Sequence, residues 1–188
     1  TFDVWATDTI LAEFPEVTEF KKRMDDYIKE KYGIEVEHLC AKDENCTVTG
    51  LEISDDAHNA ALENIRRNGL SGRVLPVQVD ARELPDRTLG EFDCIVSNPP
   101  YIPTGDLATL PPETQQEPML ALDGGEDGLD IYRRIAQDAA KYLNRGGMLI
   151  MAVGEREAND VVKLFKNNSY AMMIKDFNGV DRYVKIMF

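Results

Sequence analysis

Histidine and cysteine are scarce in this chain of 188 residues: His38 and His58 are its two imidazoles, and Cys40, Cys46 and Cys94 its three thiols. The cysteines have no C-x-x-C spacing and no histidine cluster beside them. Neither a zinc site nor a disulfide scaffold is expected, and the thiols read as ordinary ones in a reducing cytoplasm. Long apolar runs are missing too: none approaches the roughly 18 residues that a membrane helix needs. No basic stretch followed by an apolar one opens the chain, so no signal peptide is visible. Thr1 in place of Met suggests an excised or engineered segment. Positive charge is in short supply, with 21 Lys and Arg against 34 Asp and Glu for a net charge of −13. That balance repels a phosphate backbone and argues against extensive nucleic-acid binding. Arg66-Arg67 and Arg133-Arg134 are the candidate basic patches, read as solvated helix faces.

What is there is a regular supply of apolar residues, 43% of the chain, which excludes wholesale disorder. The length suits one compact domain with at most a small appendage. Short apolar runs alternate with amphipathic ones. Phe2–Ala6 is a strand candidate, and Phe20, Met24, Tyr27, Ile28 and Tyr32 recur at helical spacing until Gly33. Ile34, Val36 and Leu39 suggest a second strand before a polar turn at Lys42–Cys46. Val48–Ile53 is the next strand. Ser54 or Asp55 can cap a helix whose buried stripe is Ala57, Ala61, Leu62 and Ile65, ended by Asn68-Gly69. Val74–Val79, Cys94–Val96 and Met148–Val153 read as strands of a sheet covered on both faces. Ile131, Ile135, Ala139 and Leu143 mark a long helix, and Val161, Val162 and Leu164-Phe165 another. Tyr170–Ile174 and Tyr183–Phe188, separated by Asn178-Gly179, form a hairpin at the sheet edge. This alternation implies an α/β sandwich, mostly parallel, with right-handed crossovers and an antiparallel edge.

Ligands of such sheets bind outside the carboxyl ends of the strands. Three strand ends carry polar residues that can converge there: Glu52, Asp80, and Ser97-Asn98-Pro99-Pro100-Tyr101. Pro-Pro holds the backbone extended, biases Asn98 away from the helical region and removes two N–H donors. The Asn98 amide and neighbouring carbonyls then make an acceptor cluster suited to a planar NH2 group, with Tyr101 as a flanking aromatic face. Holding both hydrogens aims the nitrogen at an electrophile, and such chemistry depends on positioning more than on a strong base. A proline-rich turn after a strand is the plainer alternative.

Asn98-Pro99-Pro100-Tyr101, preceded by Phe92–Ser97 and followed by Ile102-Pro103, resembles the catalytic segment of S-adenosylmethionine-dependent amino methyltransferases. Glu117-Pro118, Ala121-Leu122, Gly124-Gly125-Glu126-Asp127-Gly128-Leu129 and Tyr132-Arg133 are similar to the signature of the N5-glutamine methyltransferases of peptide-chain release factors. The closing Asp176–Arg182 is similar to that family's terminal hairpin, so the resemblance runs from about Thr47 to Phe188. It implies a three-layer αβα sandwich with a mostly parallel Rossmann-like methyltransferase sheet and an antiparallel C-terminal hairpin. It implies transfer of a methyl group from S-adenosylmethionine to a glutamine side-chain amide of a release factor in the cytoplasm. Glu52, with the adjoining Ile53, is then expected at the cofactor ribose, Asp80 with Ala81 beside the adenine, and Asn98 among the residues that bind the cofactor. Asn98 and the Pro99 carbonyl are expected on the substrate amide, Pro100 within the same catalytic segment and Tyr101 packed around that amide. Glu117 and Pro118 shape the substrate pocket, and Gly124–Gly128 forms a tight loop with positive φ.

The chain departs from the family at one place. A glycine-rich turn of the D-x-G-x-G-x-G kind should precede Glu52 by some 20 to 25 residues, yet Asp25–Glu35 holds only Gly33. Its loss weakens or removes partners of the cofactor's amino and carboxylate groups, each charge-assisted bond being worth roughly 1.5 to 3 kcal/mol. Residues 1–46, with Thr7-Asp8-Thr9, Glu13-Phe14-Pro15-Glu16 and Ile34-Glu35-Val36, weakly resemble a βαβ unit of the adenine-nucleotide α-hydrolase superfamily that includes phosphoadenylylsulfate reductases. The expected organisation is a chimera: a foreign βαβ segment over 1–46 joined to a methyltransferase core over 47–188, with a diverged natural protein as the other account. Two alternative functions follow. One is a catalytically silent recombined scaffold, and the other is an N6-adenine nucleic-acid methyltransferase, which shares the tetrapeptide but which the acidic charge disfavours.

Overall fold

The computed structural model describes residues 45–83, 89–165, 170–176 and 178–188. The expected strand Phe2–Ala6, the helix after Pro15, the strand around Val36 and the glycine-poor window Asp25–Glu35 lie outside the described residues. The chain divides into two units after Ala81.

Among the described residues the first unit is one β-α-β turn. Strand β1 (Val48–Glu52) pairs in parallel with β2 (Val74–Gln78), from Val48 opposite Val74 to Glu52 opposite Gln78. Helix α1 (Asp55–Arg67) joins them, and Ser54 is its N-cap: its hydroxyl accepts from the Ala57 N–H at 3.4 Å. Asp55 and Asp56 sit in the first turn and Arg66 and Arg67 in the last, the arrangement that the helix dipole favours. Glu63 receives both arginines at 2.8 to 3.0 Å, which holds its carboxyl down at about 2. Two expectations shift. The strand ends at Glu52 because Ser54 has already turned to cap the helix, so Ile53 belongs to the connection. The apolar stripe is only half-buried at Ala61 and Ile65, while Ala57 and Leu62 are exposed.

The second unit holds a four-stranded sheet of order β3-β4-β6-β5. Strand β3 (Phe92–Ser97) runs parallel to β4 (Leu143–Ala152), whereas β5 (Tyr170–Lys175) and β6 (Asp181–Met187) add antiparallel strands. Helix α2 (Met119–Leu122) is a single turn; α3 (Asp130–Tyr142) and α4 (Ala158–Leu164) are the packing helices. Leu149 faces Ile186 and Met151 faces Val184 across the β4–β6 ladder, so these four share one face of the sheet. All four are fully buried with Tyr132 from α3 and Val161 from α4. The hairpin is where Asn178-Gly179 placed it: Gly179 has φ +81°, and the Asp176 carboxylate accepts from the N–H groups of Asn178 and Val180 at 2.8 and 3.0 Å. Leu143, expected in the long helix, instead opens β4 opposite Phe92. Helical spacing cannot separate the last turn of a helix from a strand that starts without a loop. Here the Leu143 backbone is already extended, at φ −103° and ψ 135°, and the strand it opens is irregular up to Met148, with a register shift between Phe92 and Cys94 and Gly146 at φ +81°. Among the described residues no helix is long and apolar enough to cross a membrane.

Candidate functional site

Because β3 and β4 are parallel, their carboxyl ends emerge side by side, with Ser97 opposite Met151. Asn98 follows at once. Pro99 is buried, Pro100 and Tyr101 are half-buried, and Asn98 itself is exposed. Its backbone is anchored below and its amide is left to solvent.

The anchoring comes from a segment more than twenty residues away. Ile102 forms a parallel bridge with Asp123: its N–H donates to the Leu122 carbonyl at 3.0 Å, and its own carbonyl accepts from Gly124 at 2.9 Å. The Thr104 N–H donates to the Gly125 carbonyl at 2.9 Å, and its hydroxyl to Asp123 Oδ1 at 2.7 Å, which also accepts from the Gly125 N–H at 3.0 Å. The loop then starts α3, with the Asp130 N–H donating to the Gly124 carbonyl at 3.0 Å. The glycines are required by close approach. A Cβ on Gly124 would lie 2.8 Å from the Tyr101 Cα, and one on Gly128, at φ +76°, would overlap the Tyr101 carbonyl oxygen. Gly125, at φ +92°, meets the Asp130 carboxylate. The tight loop expected over Gly124–Gly128 is therefore present, and it is packed on the Asn-Pro-Pro-Tyr segment.

On its other side Tyr101 meets the end of β4. A Cβ on Gly154 would stand 2.9 Å from the Tyr101 ring and would overlap the Glu157 carboxylate. Just beneath, Tyr132 is fully buried and donates its hydroxyl to the Ala152 carbonyl at 2.8 Å. Burial raises its phenol far above the ordinary range, and Glu157 and Tyr101 add to the shift. Gly154 and Glu157 escaped the sequence reading, which named Tyr132 only as part of the Tyr132-Arg133 motif. The available signal was a glycine directly after an apolar strand, the usual mark of a close backbone approach. Tyr132→Phe leaves a buried carbonyl without its donor and is expected to destabilise the chain by about 1 to 2 kcal/mol in urea unfolding; a loss near zero would show that the bond adds nothing.

Asp123 also carries a pH signature. The Thr104 hydroxyl first, and the Gly125 N–H second, hold its carboxyl below the ordinary 3.8, against a smaller opposing effect of burial. A depressed folded value means that this stabilisation is present above the ordinary carboxylate range and is lost as pH falls through the depressed value. The Gly125 amide resonance is expected to titrate with a midpoint below 3.8, and Asp123→Asn to abolish that step; a midpoint at or above 3.8 would contradict the strap.

Glu117 and Pro118 are exposed on the excursion between Ile102 and Asp123, between a 3-10 turn at Thr114–Gln116 and α2. In the first unit, Glu52 and Ile53 lie at the same end of the β1–β2 ribbon as Asp80 and Ala81. The Glu52 carbonyl accepts from the Val79 N–H at 3.0 Å, which puts Asp80 one residue beyond the ladder, and Ala81 starts a 3-10 turn. Glu52 is half-buried; one carboxylate oxygen accepts from the Ser54 N–H at 2.8 Å, and no bond to a described residue engages the other. A fixed carboxylate with a spare oxygen at the carboxyl end of a parallel strand fits a vicinal diol, as the ribose of S-adenosylmethionine presents. Both basic pairs are committed to carboxylates: Arg66 and Arg67 to Glu63, Arg133 to Asp127 and Asp130, and Arg134 to Asp138 at 2.6 Å.

A family model described as an RMKL-like methyltransferase domain matches residues 15–106. A methyltransferase of Pyrococcus furiosus superposes with a TM-score of 0.58 at 18% identity, over 93% of this chain and 98% of that one. The fold is α/β and Rossmann-like, and the matching family model is that of a methyltransferase domain. The release factor glutamine methyltransferase of Agrobacterium fabrum is 42% identical over 136 residues, 71% of this chain and 46% of its own length. The ribosomal protein uL3 glutamine methyltransferase of Francisella tularensis is 43% identical over 131 residues, 69% of this chain and 37% of its own. Over the matched residues the chain belongs to the family of the release factor glutamine methyltransferases. It spans about half the length, or less, of these curated relatives.

Proposed function

We propose that this chain carries the methyl-transfer half of a protein (glutamine-N5) methyltransferase and that its acceptor is the side-chain amide of a glutamine in a peptide-chain release factor, in the cytoplasm. The observation that carries the reading is the exposed amide of Asn98 at the carboxyl end of β3, on a segment whose Tyr101 backbone packs on Gly124–Gly128 and whose Tyr101 ring packs on Gly154. The Asn98 side-chain oxygen and the Pro99 carbonyl accept one hydrogen each from the substrate NH2. This fixes the nitrogen's direction and draws off positive charge as the nitrogen is alkylated. Pro99 and Pro100 hold the segment extended and offer no N–H of their own. Tyr101 limits sideways motion of the planar amide, and Glu117 and Pro118 border the entry. S-adenosylmethionine supplies the electrophilic methyl when bound; Glu52 and Ile53 would hold its ribose, and Asp80 and Ala81 its adenine. The names of the relatives support a glutamine acceptor, and uL3 is the second acceptor to assay beside a release factor.

Titration calorimetry with S-adenosylhomocysteine tests the cofactor side. Binding is expected to be weak, between micromolar and millimolar, because no glycine-rich turn precedes Glu52; a fall across that range needs only about 4 kcal/mol. Glu52→Ala is expected to weaken it by a further ten- to a hundredfold, the worth of about one charge-assisted bond, with the unfolding midpoint unchanged. No heat at millimolar ligand, or equal heat in the variant, would sink the reading. Mass spectrometry of release factor incubated with S-adenosylmethionine tests the acceptor side, and a methyl group on nucleic acid instead would overturn it.

A further inference from the structure

Charge is spread unevenly along this chain. From Thr88 to Tyr132 there is no Lys, Arg or His, while nine Asp and Glu fall in those 45 residues, against a net charge of −13 for all 188. Several of these carboxylates have partners. Asp93 accepts from Asn144, Asp123 from Thr104, and Asp127 and Asp130 share Arg133. Asp106, Glu113 and Glu117 are exposed and make no ion pair with a described residue. All three lie on the excursion that leaves Tyr101 at Ile102 and returns at Asp123, clamped at its base by the parallel bridge. The same excursion carries α2, on which the adjacent Met119 and Leu120 are 62% and 48% exposed. Single exposed apolar residues need no explanation. Two in sequence, on an excursion that also carries three exposed carboxylates without an ion pair to a described residue and is bridged at its base to the residue after Tyr101, give that excursion a definite sign.

We propose that the excursion from Ile102 to Asp123, through exposed Met119 and Leu120 and the unpaired carboxylates of Asp106, Glu113 and Glu117, docks a basic stretch of the polypeptide that delivers the acceptor amide to Asn98. The sign selects the partner. Nucleic acid, acidic peptides and anionic lipid are repelled, whereas lysine- and arginine-bearing polypeptide is steered in and then covers the apolar pair. The rim charges act over roughly 8 Å at physiological ionic strength, so the effect is salt-dependent and falls mainly on association. This deepens the reading given above, on which it rests for the role of Asn98, and it names the class of acceptor segment that reading leaves open.

The test uses the full chain and two fluorescein-labelled peptides of equal length, each with a central glutamine and one leucine. One carries four lysines, which the other replaces by glutamines. By fluorescence anisotropy the lysine peptide is expected to bind about tenfold tighter at low salt, and less than about twofold tighter once the Debye length falls to a few ångströms. The double reversal Asp106→Lys with Glu113→Lys is expected to abolish the preference, and Asp106→Asn with Glu113→Gln to reduce it. Both variants should keep the parent's S-adenosylhomocysteine affinity and unfolding midpoint. Equal binding of the two peptides at low salt overturns the proposal, as does a preference that survives in folded reversal variants or tighter binding of a single-stranded oligonucleotide. Cofactor titration reports separately on the methyl-transfer reading: a chain that binds S-adenosylhomocysteine but shows no charge preference loses only the docking surface, and the converse loses only the cofactor.

Discussion

Asn98→Ala is expected to lower single-turnover methyl transfer to a glutamine peptide by about a thousandfold, some 4 kcal/mol of barrier, while leaving urea stability within about 0.5 kcal/mol of the parent. The two halves of the expectation have different origins. Stability is spared because Asn98 is exposed and its side chain makes no hydrogen bond to a described residue. Transfer is lost because an unheld amide rotates freely and has no acceptor for the charge that develops on it. Asn98→Asp sharpens the comparison: the shape is kept, but the full negative charge changes how the cluster meets an uncharged NH2. Rapid-quench assays at saturating peptide would decide the matter. A loss below tenfold, or an equal loss of stability and rate, would show that Asn98 holds the loop together rather than the substrate.

Gly128→Ala is the larger structural lesion, with an expected cost of about 3 kcal/mol in urea unfolding. Part arises because a side chain at φ +76° costs roughly 1 to 2 kcal/mol. The rest arises because the new Cβ would overlap the Tyr101 carbonyl oxygen, a backbone atom held by the adjoining strap and unable to swing aside. Gly179→Ala is the control. Its φ is nearly the same, +81°, but nothing lies within 4 Å of the position, so about 1 kcal/mol is expected. Equal losses at the two sites would mean that the contact between Tyr101 and the glycine loop adds nothing. Gly128→Ala should also slow transfer, since Tyr101 can relieve the overlap only by moving.

The particular successes and errors of the sequence reading have local and non-local causes. The strands Val48–Glu52, Val74–Gln78 and Phe92–Ser97 were legible because β-branched and apolar runs bounded by polar turns leave few alternatives. The helix Asp55–Arg67 was legible from Ser54 at its head and Asn68-Gly69 at its foot. Leu143 was placed in the wrong element because it continues the helical spacing of Ile131, Ile135 and Ala139 although its backbone is already extended. Leu62 was counted as buried because periodicity reports which face is apolar and says nothing of what packs against it. At the candidate site, Asn98–Tyr101 was legible as a proline-held segment after a strand and Gly124–Gly128 as a tight glycine loop. Gly154 and Glu157 were not, because their relation to Tyr101 appears only when the parallel pairing of β3 with β4 brings two strand ends together.

From its residues alone this protein was committed to an extended, donor-poor segment at Pro99-Pro100, to glycine-dependent bends at Gly125, Gly128 and Gly179, and to an acidic stretch from Thr88 to Tyr132. Each follows from the conformational range or the charge of the residue itself. Tertiary structure alone decided that the Asn-Pro-Pro-Tyr segment lies on the glycine loop, that Gly154 backs the tyrosine ring, and that Tyr132 is sealed beneath it. Those contacts join residues some 20 to 53 positions apart in the sequence. Their energy depends on backbone approach and strand order, which no local preference encodes.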